Sequence, residues 1–327
     1  MTQIIARRYI WMLVTLLIVS LVSFFLVQFA PGDYAETYAT RKATSGSIVS
    51  QSEIDALRIQ LGLDQSWYIQ YGRWLANFVR GDWGMSWEWR RPVIEVIGER
   101  LPTTLVIAFG TLLFMYAVAL PIGIYSAVRQ YSVTDLVFSV LGYVGLAIPS
   151  FLLALVLMYL GQSLFGQSVG GLFSPEFEGQ PWSLARFLDF LAHLWIPVVV
   201  LGTSSTAYLI RSTRAAVLDE LDRMYVVAAR AGGLSPLRLL LRYPVRVALN
   251  PIAATIGWRL TYVISGAPIV GVVMALPDTG PLFLNALLNK DMQLASALIF
   301  VFSALTIVGT FVSDVLLAVL DPRVRIE

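Results

Sequence analysis

Cysteine is absent from the 327 residues, histidine occurs once, and charged side chains make up only 13% of the chain. Without cysteine there are no disulfides, thiolate metal sites or cysteine nucleophiles, and the single His193 has no partner histidine for a metal cluster. Also missing is any G-x-x-x-x-G-K-[ST] run, so no loop of that kind cradles a nucleotide phosphate. What is present is apolar. Hydrophobic residues reach 57% and the mean hydropathy is +0.72, beyond the roughly 45 to 50% apolar content of a soluble domain. The chain reads as an all-α integral membrane protein. Its net charge of +2 says little, because the position of each charge relative to the bilayer matters more than the sum.

About 20 apolar residues cross the hydrocarbon core, which predicts six spans near residues 10–29, 105–124, 136–160, 194–210, 252–273 and 294–320. The first is long and runs into Gln28-Phe29-Ala30-Pro31-Gly32-Asp33, where no small-x-small cleavage site is convincing, so it is expected to stay as a helix. Pro121, Pro149, Pro197 and Pro268 fall within spans, where neighbouring helices re-satisfy the freed carbonyls. A bundle with some kinked or broken members follows.

Arginines set the orientation. Arg7 and Arg8 precede the first span, and Arg129 follows the second. Arg211, Arg214, Arg223, Arg230, Arg238, Arg242 and Arg246 lie between the fourth and fifth, and Arg323 and Arg325 close the chain. The opposite short loops hold only Arg186 and Lys290. The positive-inside bias therefore predicts cytoplasmic termini, a cytoplasmic loop over 211–251 and an extracytoplasmic segment over 33–100. In that outer segment Ser52 is expected to cap a helix carrying Ile54, Leu57 and Leu61 and ended by Gly62. A second amphipathic stretch runs from Trp67 through Tyr71, Trp74 and Leu75 to Phe78, with turns at Gly81 and Gly84. Trp67, Trp74, Trp83, Trp87 and Trp89 suit the headgroup layer. The segment reads as an interfacial cap, or more sharply as a gate or docking surface for an extracytoplasmic partner.

In the inner loop, Asp222 is expected to N-cap a short helix in which Met224, Val227, Ala228 and Ala231 form a narrow apolar stripe. Gly232 or Gly233 ends it in the left-handed conformation, and Ser235-Pro236 starts the next helix. Small residues let a partner backbone approach, with Arg223 and Arg230 at the rim. A helix lying in the lipid headgroups explains the same arginines.

Tyr225, Val226, Ala229, Arg230, Ala231, Gly233, Leu234 and Ser235 match a Y-V-x-x-A-R-A-x-G-L-S pattern. The segment resembles the cytoplasmic "EAA" loop of binding-protein-dependent ABC importer permeases, in the form typical of the dipeptide and oligopeptide permease family and of its B-type subunit. Similar pieces extend over nearly the whole chain: Arg7-Arg8, Pro31-Gly32-Asp33, Leu61-Gly62-Leu63-Asp64, Gln70-Tyr71, Gly81-Asp82-Trp83-Gly84-Met85-Ser86, Pro92-Val93, Arg246, Ala248-Leu249, Pro251, Gly280-Pro281-Leu282, Asp314 and Asp321-Pro322-Arg323-Val324-Arg325. The chain departs from the pattern at Pro244-Val245-Arg246-Val247-Ala248-Leu249, in the absence of an acid from the fifth span, and at Val227, which replaces the Glu usual in the signature.

The resemblance implies a six-helix type I importer permease of the bacterial cytoplasmic membrane. It implies a sister permease subunit in a heterodimer, two separate ATPase subunits that bind ATP and Mg, and an extracytoplasmic binding protein. No cofactor, metal or nucleic acid is expected on this chain, and no catalytic residue. Asp222, Arg223, Met224, Tyr225, Ala228, Ala229, Arg230, Ala231, Gly232, Gly233, Leu234 and Ser235 would form the contact to the ATPases. Peptides are the implied cargo; related permeases also serve nickel chelates and sugar-linked compounds.

Arg259, with Tyr262 and Ser265 at helical spacing, draws a polar face inside the fifth span and marks a candidate pathway. A structural ion pair with Asp314 or with an acid of the sister subunit explains Arg259 as well. Thr203-Ser204-Ser205 suits helix packing. An intramembrane hydrolase using Ser204 and His193 is excluded within one helix, since eleven residues separate them by roughly 16 Å. A secondary transporter would call for intramembrane carboxylates or an inverted repeat, and neither is evident.

Overall fold

The computed structural model describes residues 2–28, 33–44, 50–168, 170–266 and 268–320; for 2–9, 26–28, 41, 261, 265, 266 and 314–320 only the backbone is described. The described residues form α-helices with a single isolated bridge between Met85 and Pro92. Among the described residues three helices are long and apolar enough to cross a membrane: α5 (Val93–Val128), α8 (Leu184–Leu221) and, over residues 292–313, α15 (Met292–Leu320). The pair α6 (Val133–Ala147) and α7 (Ser150–Phe165) passes the same test together but is bent by 106°. The span expected over 136–160 is thus not one straight helix. Pro149 removes a backbone donor and forces Ile148 into an extended conformation (φ −77°, ψ 123°), which ends α6 there.

The stretch 252–273 is likewise divided, into parts of α11 (Pro244–Ala253), α12 (Ile256–Gly266) and α13 (Pro268–Val273). α1 (Thr2–Gln28) holds the first apolar segment; residue 29 lies outside the described residues. α8 is far longer than residues 194–210 and takes in the first eleven residues of the inner loop, with Pro197 inside it.

The chain divides into two compact units, Met1–Thr104 with Asp278–Ala304, and Leu105–Pro277 with Leu305–Glu327. In the first, α2 (Tyr34–Thr44) is tied to α3 (Gln51–Leu61) by Arg58, whose Nε donates to Asp33 Oδ2 at 2.6 Å and whose Nη2 meets Glu36. Ser50, not Ser52, caps α3, in a reciprocal capping box with Glu53. Gly62 ends it at φ +69°. α4 (Trp67–Val79) packs on α1 through a Ser20–Tyr71 hydroxyl bond of 2.9 Å and the Phe24, Tyr71 and Trp74 rings. Three of the tryptophans assigned to the headgroup layer are packing groups instead. Trp74 is buried, Trp83 stacks on Phe78 at 4.7 Å and Trp87 lies 5.2 Å from Tyr34. Of these five, Trp67 and Trp89 are exposed, while the stripe from Phe24 to Phe300 offers Trp74 and Trp83 more apolar contact than the surface does.

Asp291 locks the start of α15: it accepts from the Ser86 hydroxyl, Glu88 N and Leu294 N, a carboxylate at a helix N-terminus. Asp278 caps α14 (Thr279–Leu288) through Gly280 N and is 1% exposed. Burial pushes its carboxyl up to about 6, against the opposing pull of the Gly280 bond and of Arg100. The unfolded chain titrates this group near 3.8, so between those values the folded chain holds more protons. Stability from this group is fully present at the acid end of that window and is lost as pH rises through it. Thermal unfolding of the purified chain and of Asp278→Asn, followed from pH 4 to pH 7, should show a shallower decline for the variant; equal slopes would refute the assignment.

In the second unit, Arg214 on α8 grips Asp135 at the start of α6 with two parallel bonds of 2.9 Å, Nε to Oδ1 and Nη2 to Oδ2. Asp135 also accepts from Tyr131 N. Glycines let helices approach closely: a Cβ on Gly123 would lie 2.8 Å from the Ile210 carbonyl, and one on Gly202 2.7 Å from the Phe114 ring.

Candidate functional site

The lower part of α8 is a mount. Val217 from α8, Ala127 from α5 and Val245 and Ala248 from α11 form one buried cluster, lined by Leu240 of α10 (Pro236–Arg242). From this mount the chain turns sharply. Asp222 is the C-cap of α8, not the N-cap of the next helix; Arg223, extended at φ −65° and ψ 142°, takes that place without a side-chain cap. The reason is the length of α8, whose propagation through Leu221 leaves only Asp222 and Arg223 for the reversal.

α9 (Met224–Ala231) follows. Val226 is fully buried and is its anchor, while Val226 N and Val227 N both donate to Arg223 O. Met224 (81% exposed), Val227, Ala228 and Ala231 all face outward. Ala229 and Leu234 are half-buried, whereas Arg230 and Ser235 are exposed. Arg223, also exposed, reaches Glu220 only at 4.0 Å. Gly232 has an ordinary φ of −72°, so the left-handed stop falls on Gly233, at φ +80°. Ser235 N-caps α10 by its backbone conformation, with no side-chain bond, and Pro236 occupies the first turn.

Sequence reasoning missed how Tyr225 is held. Its hydroxyl donates to Glu220 and its ring lies 6.4 Å from Tyr243. Burial first, then the Glu220 bond, pushes the phenol up to about 12. The i, i+5 spacing across a helix break gave no periodic signal. Exposed Leu237 and Leu241 on α10 add to the apolar surface and were also missed. A short helix cannot stand alone in water; this one is held by Val226, Tyr225 and its packing on α10, and it presents an apolar face that the chain itself leaves uncovered.

Of the pathway candidates, Arg259 and Tyr262 are described to the side chain. Arg259 is 2% exposed, packed under the Tyr208 and Trp258 rings at 5.2 and 4.8 Å, with Nε donating to Thr255 Oγ1 at 3.0 Å. Tyr262, three residues on along the same helix, is exposed, so of the two only Tyr262 is open to solvent. The side chains of Ser265 and Asp314 lie outside the described residues. Among the described residues no carboxylate reaches Arg259, and the two rings give it cation–π contact. His193 bonds the Asp189 carbonyl at 2.8 Å and Ser168 Oγ at 3.0 Å, away from Ser204. Among the described residues there is no His/Cys/Asp/Glu cluster that could hold a metal.

Taken together, the broken and continuous apolar helices define a multi-pass membrane protein. The family of binding-protein-dependent transport system inner membrane components matches residues 119–326, and the N-terminal region of such components matches residues 1–108. The chain belongs to this family. It is 32% identical to the oligopeptide transport system permease protein AppB of Bacillus subtilis, over 99% of this chain and 100% of that one. A putative peptide transport system permease of Brucella abortus is 30% identical over 100% of both chains. The glutathione transport system permease GsiC of Escherichia coli is 29% identical over 99% of each. Among solved structures, the inward-facing MetNI methionine ABC transporter matches with a TM-score of 0.50 and 15% identity, covering 70% of this chain and 97% of that one. That likeness is one of fold.

Proposed function

We propose that this chain forms half of the translocation pathway of an ATP-driven importer for peptides, working with a sister permease in a heterodimer. Two separate ATPase subunits bind ATP and Mg below it, and an extracytoplasmic binding protein delivers the cargo. The observation that carries this reading is α9: a glycine-stopped helix fixed by buried Val226 and showing Met224, Val227, Ala228 and Ala231 to a partner. Residues 222–235 are the contact to the ATPases. Both termini and 211–251 lie in the cytoplasm, 33–100 lies outside, and six spans cross the bilayer with the third and fifth bent. Relatives named for oligopeptide, peptide and glutathione transport support a peptide-class cargo.

Closure of the ATPases must bias a two-state bundle, and only differential affinity for the two states does so. A shift from almost all inward-facing to almost all outward-facing takes about 5.5 kcal/mol. A fixed, capped helix can transmit that; a loose loop cannot. Arg259 reaches a cargo carboxylate only if Tyr208 and Trp258 swing away, so exposed Tyr262 is the nearer pathway contact.

The test is uptake in reconstituted vesicles. Gly233→Val forces a β-branched residue into the left-handed region and Ala229→Trp disturbs the half-buried side of α9. Both should insert normally yet import at background while ATP is still hydrolysed. Normal uptake by both would overturn the coupling role. Uptake that survives ATP depletion but collapses with a proton ionophore would replace the importer by a secondary transporter.

A further inference from the structure

The first unit contains a cavity of about 200 Å³ between α1, α4, the turn after α4 and the start of α15. We propose that it is a binding site for a small zwitterion of amino-acid size with an apolar side chain. Four observations point there. Trp74 and Ser296, 6% and 1% exposed, line the cavity, and among the described residues neither the indole Nε1–H nor the Ser296 hydroxyl has a hydrogen-bond partner. Buried donors left unpaired are costly, so a polar occupant is required.

Arg73 and Asp82 lie on the same wall set, at its exposed mouth. Among the described residues neither meets an opposite charge; Asp82 Oδ1 accepts only from Gly84 N at 3.0 Å. Two unlike charges held around one cavity without pairing suit a ligand that carries both signs, its carboxylate toward Arg73 and the Trp74 N–H, its ammonium toward Asp82. Phe24, Leu61 and Leu63 supply apolar wall. The volume matches about seven waters and lies below the 300 Å³ or more of drug-sized ligands, which sets the scale at a single amino acid. On the same wall Gly84 lets the Gln293 side chain pack closely against the turn, since a Cβ there would meet Gln293 Oε1 at 2.9 Å. The site is independent of the coupling helix and of the cargo assignment, and its occupant would join α4 to α15.

The probe is L-leucine, titrated calorimetrically into the purified full-length chain without ATP or binding protein. N-acetyl-leucine, which lacks the ammonium, and leucinamide, which lacks the carboxylate, are the controls. Saturable leucine binding is expected, weakened about tenfold or more in Arg73→Gln and Asp82→Asn and for both blocked leucines. Both substituted residues are exposed, so neither change threatens the fold. No saturable heat, or equal binding of leucine and its blocked forms, would overturn the proposal and leave a cavity filled by water alone. Because uptake is not measured, failure here leaves the importer reading intact.

Discussion

Gly257→Ala should all but eliminate folded protein, although it adds one methyl group. A Cβ at this position would lie 2.6 Å from both N and Cα of Thr310 and 2.7 Å from the carbonyl carbon of Gly309. These are backbone atoms, unable to rotate away as a side chain can. Gly257 N also donates to Ser313 Oγ at 2.6 Å, so separating the helices breaks a buried bond as well. Overpacking typically costs about 1–3 kcal/mol, and here the strain adds to the lost bond, against a total stability of about 5–15 kcal/mol. Close backbone approach is what small residues supply between membrane helices. Size-exclusion yield after detergent extraction should fall to roughly a tenth or less. Gly309→Ala, whose Cβ would sit at 3.2 Å from Gly257 Cα and O, should retain much of it. Equal yields for Gly257→Ala and the parent would contradict the crossing.

Val226→Asp is the second large effect, and it is local. The side chain is 0% exposed and lies on the eight-residue α9. Such a helix is too short to persist without tertiary anchorage. An unpaired carboxylate buried there costs several kcal/mol, more than an exposed surface helix can offset. The helix should detach while the mount of Val217, Ala127, Val245 and Ala248 holds. Melting temperature of the bundle should change by no more than a few degrees, yet uptake should drop to background. Val226→Ala, which removes only part of the apolar contact at about 1–3 kcal/mol, should keep measurable uptake. Full uptake by Val226→Asp would show that α9 is not held by this residue.

The sequence was informative where one physical signal dominated. Apolar runs marked the membrane helices, and paired glycines marked the end of α9, though only the backbone at Gly233 tells which of the two turns left-handed. Bends were harder. Pro149 and Pro268 were visible, but whether a proline is absorbed, as Pro197 is within α8, or breaks the helix, as at Pro149, depends on what packs around it. Cap residues were misplaced at Ser52 and Asp222, because a cap belongs to the backbone conformation and several polar residues compete within one turn. The outer tryptophans read as interfacial from their amphipathic rings; the contacts of Trp74 with Phe24 and of Trp87 with Tyr34 depend on residues far apart in the chain. Arg259 was recognisable as a buried charge, but its aromatic cover comes partly from Tyr208 on another helix, which no spacing rule supplies.

The affinity of the purified ATPase subunits for the permease complex, measured with and without Ala228→Trp, tests the coupling account most directly. Ala228 is exposed on α9, so the indole does not disturb the fold, while a partner that closes over small side chains has no room for it. Binding should weaken by about thirtyfold or more, the loss of one central contact of at least about 2 kcal/mol. Unchanged affinity would mean that this face of the helix is not where the ATPases dock.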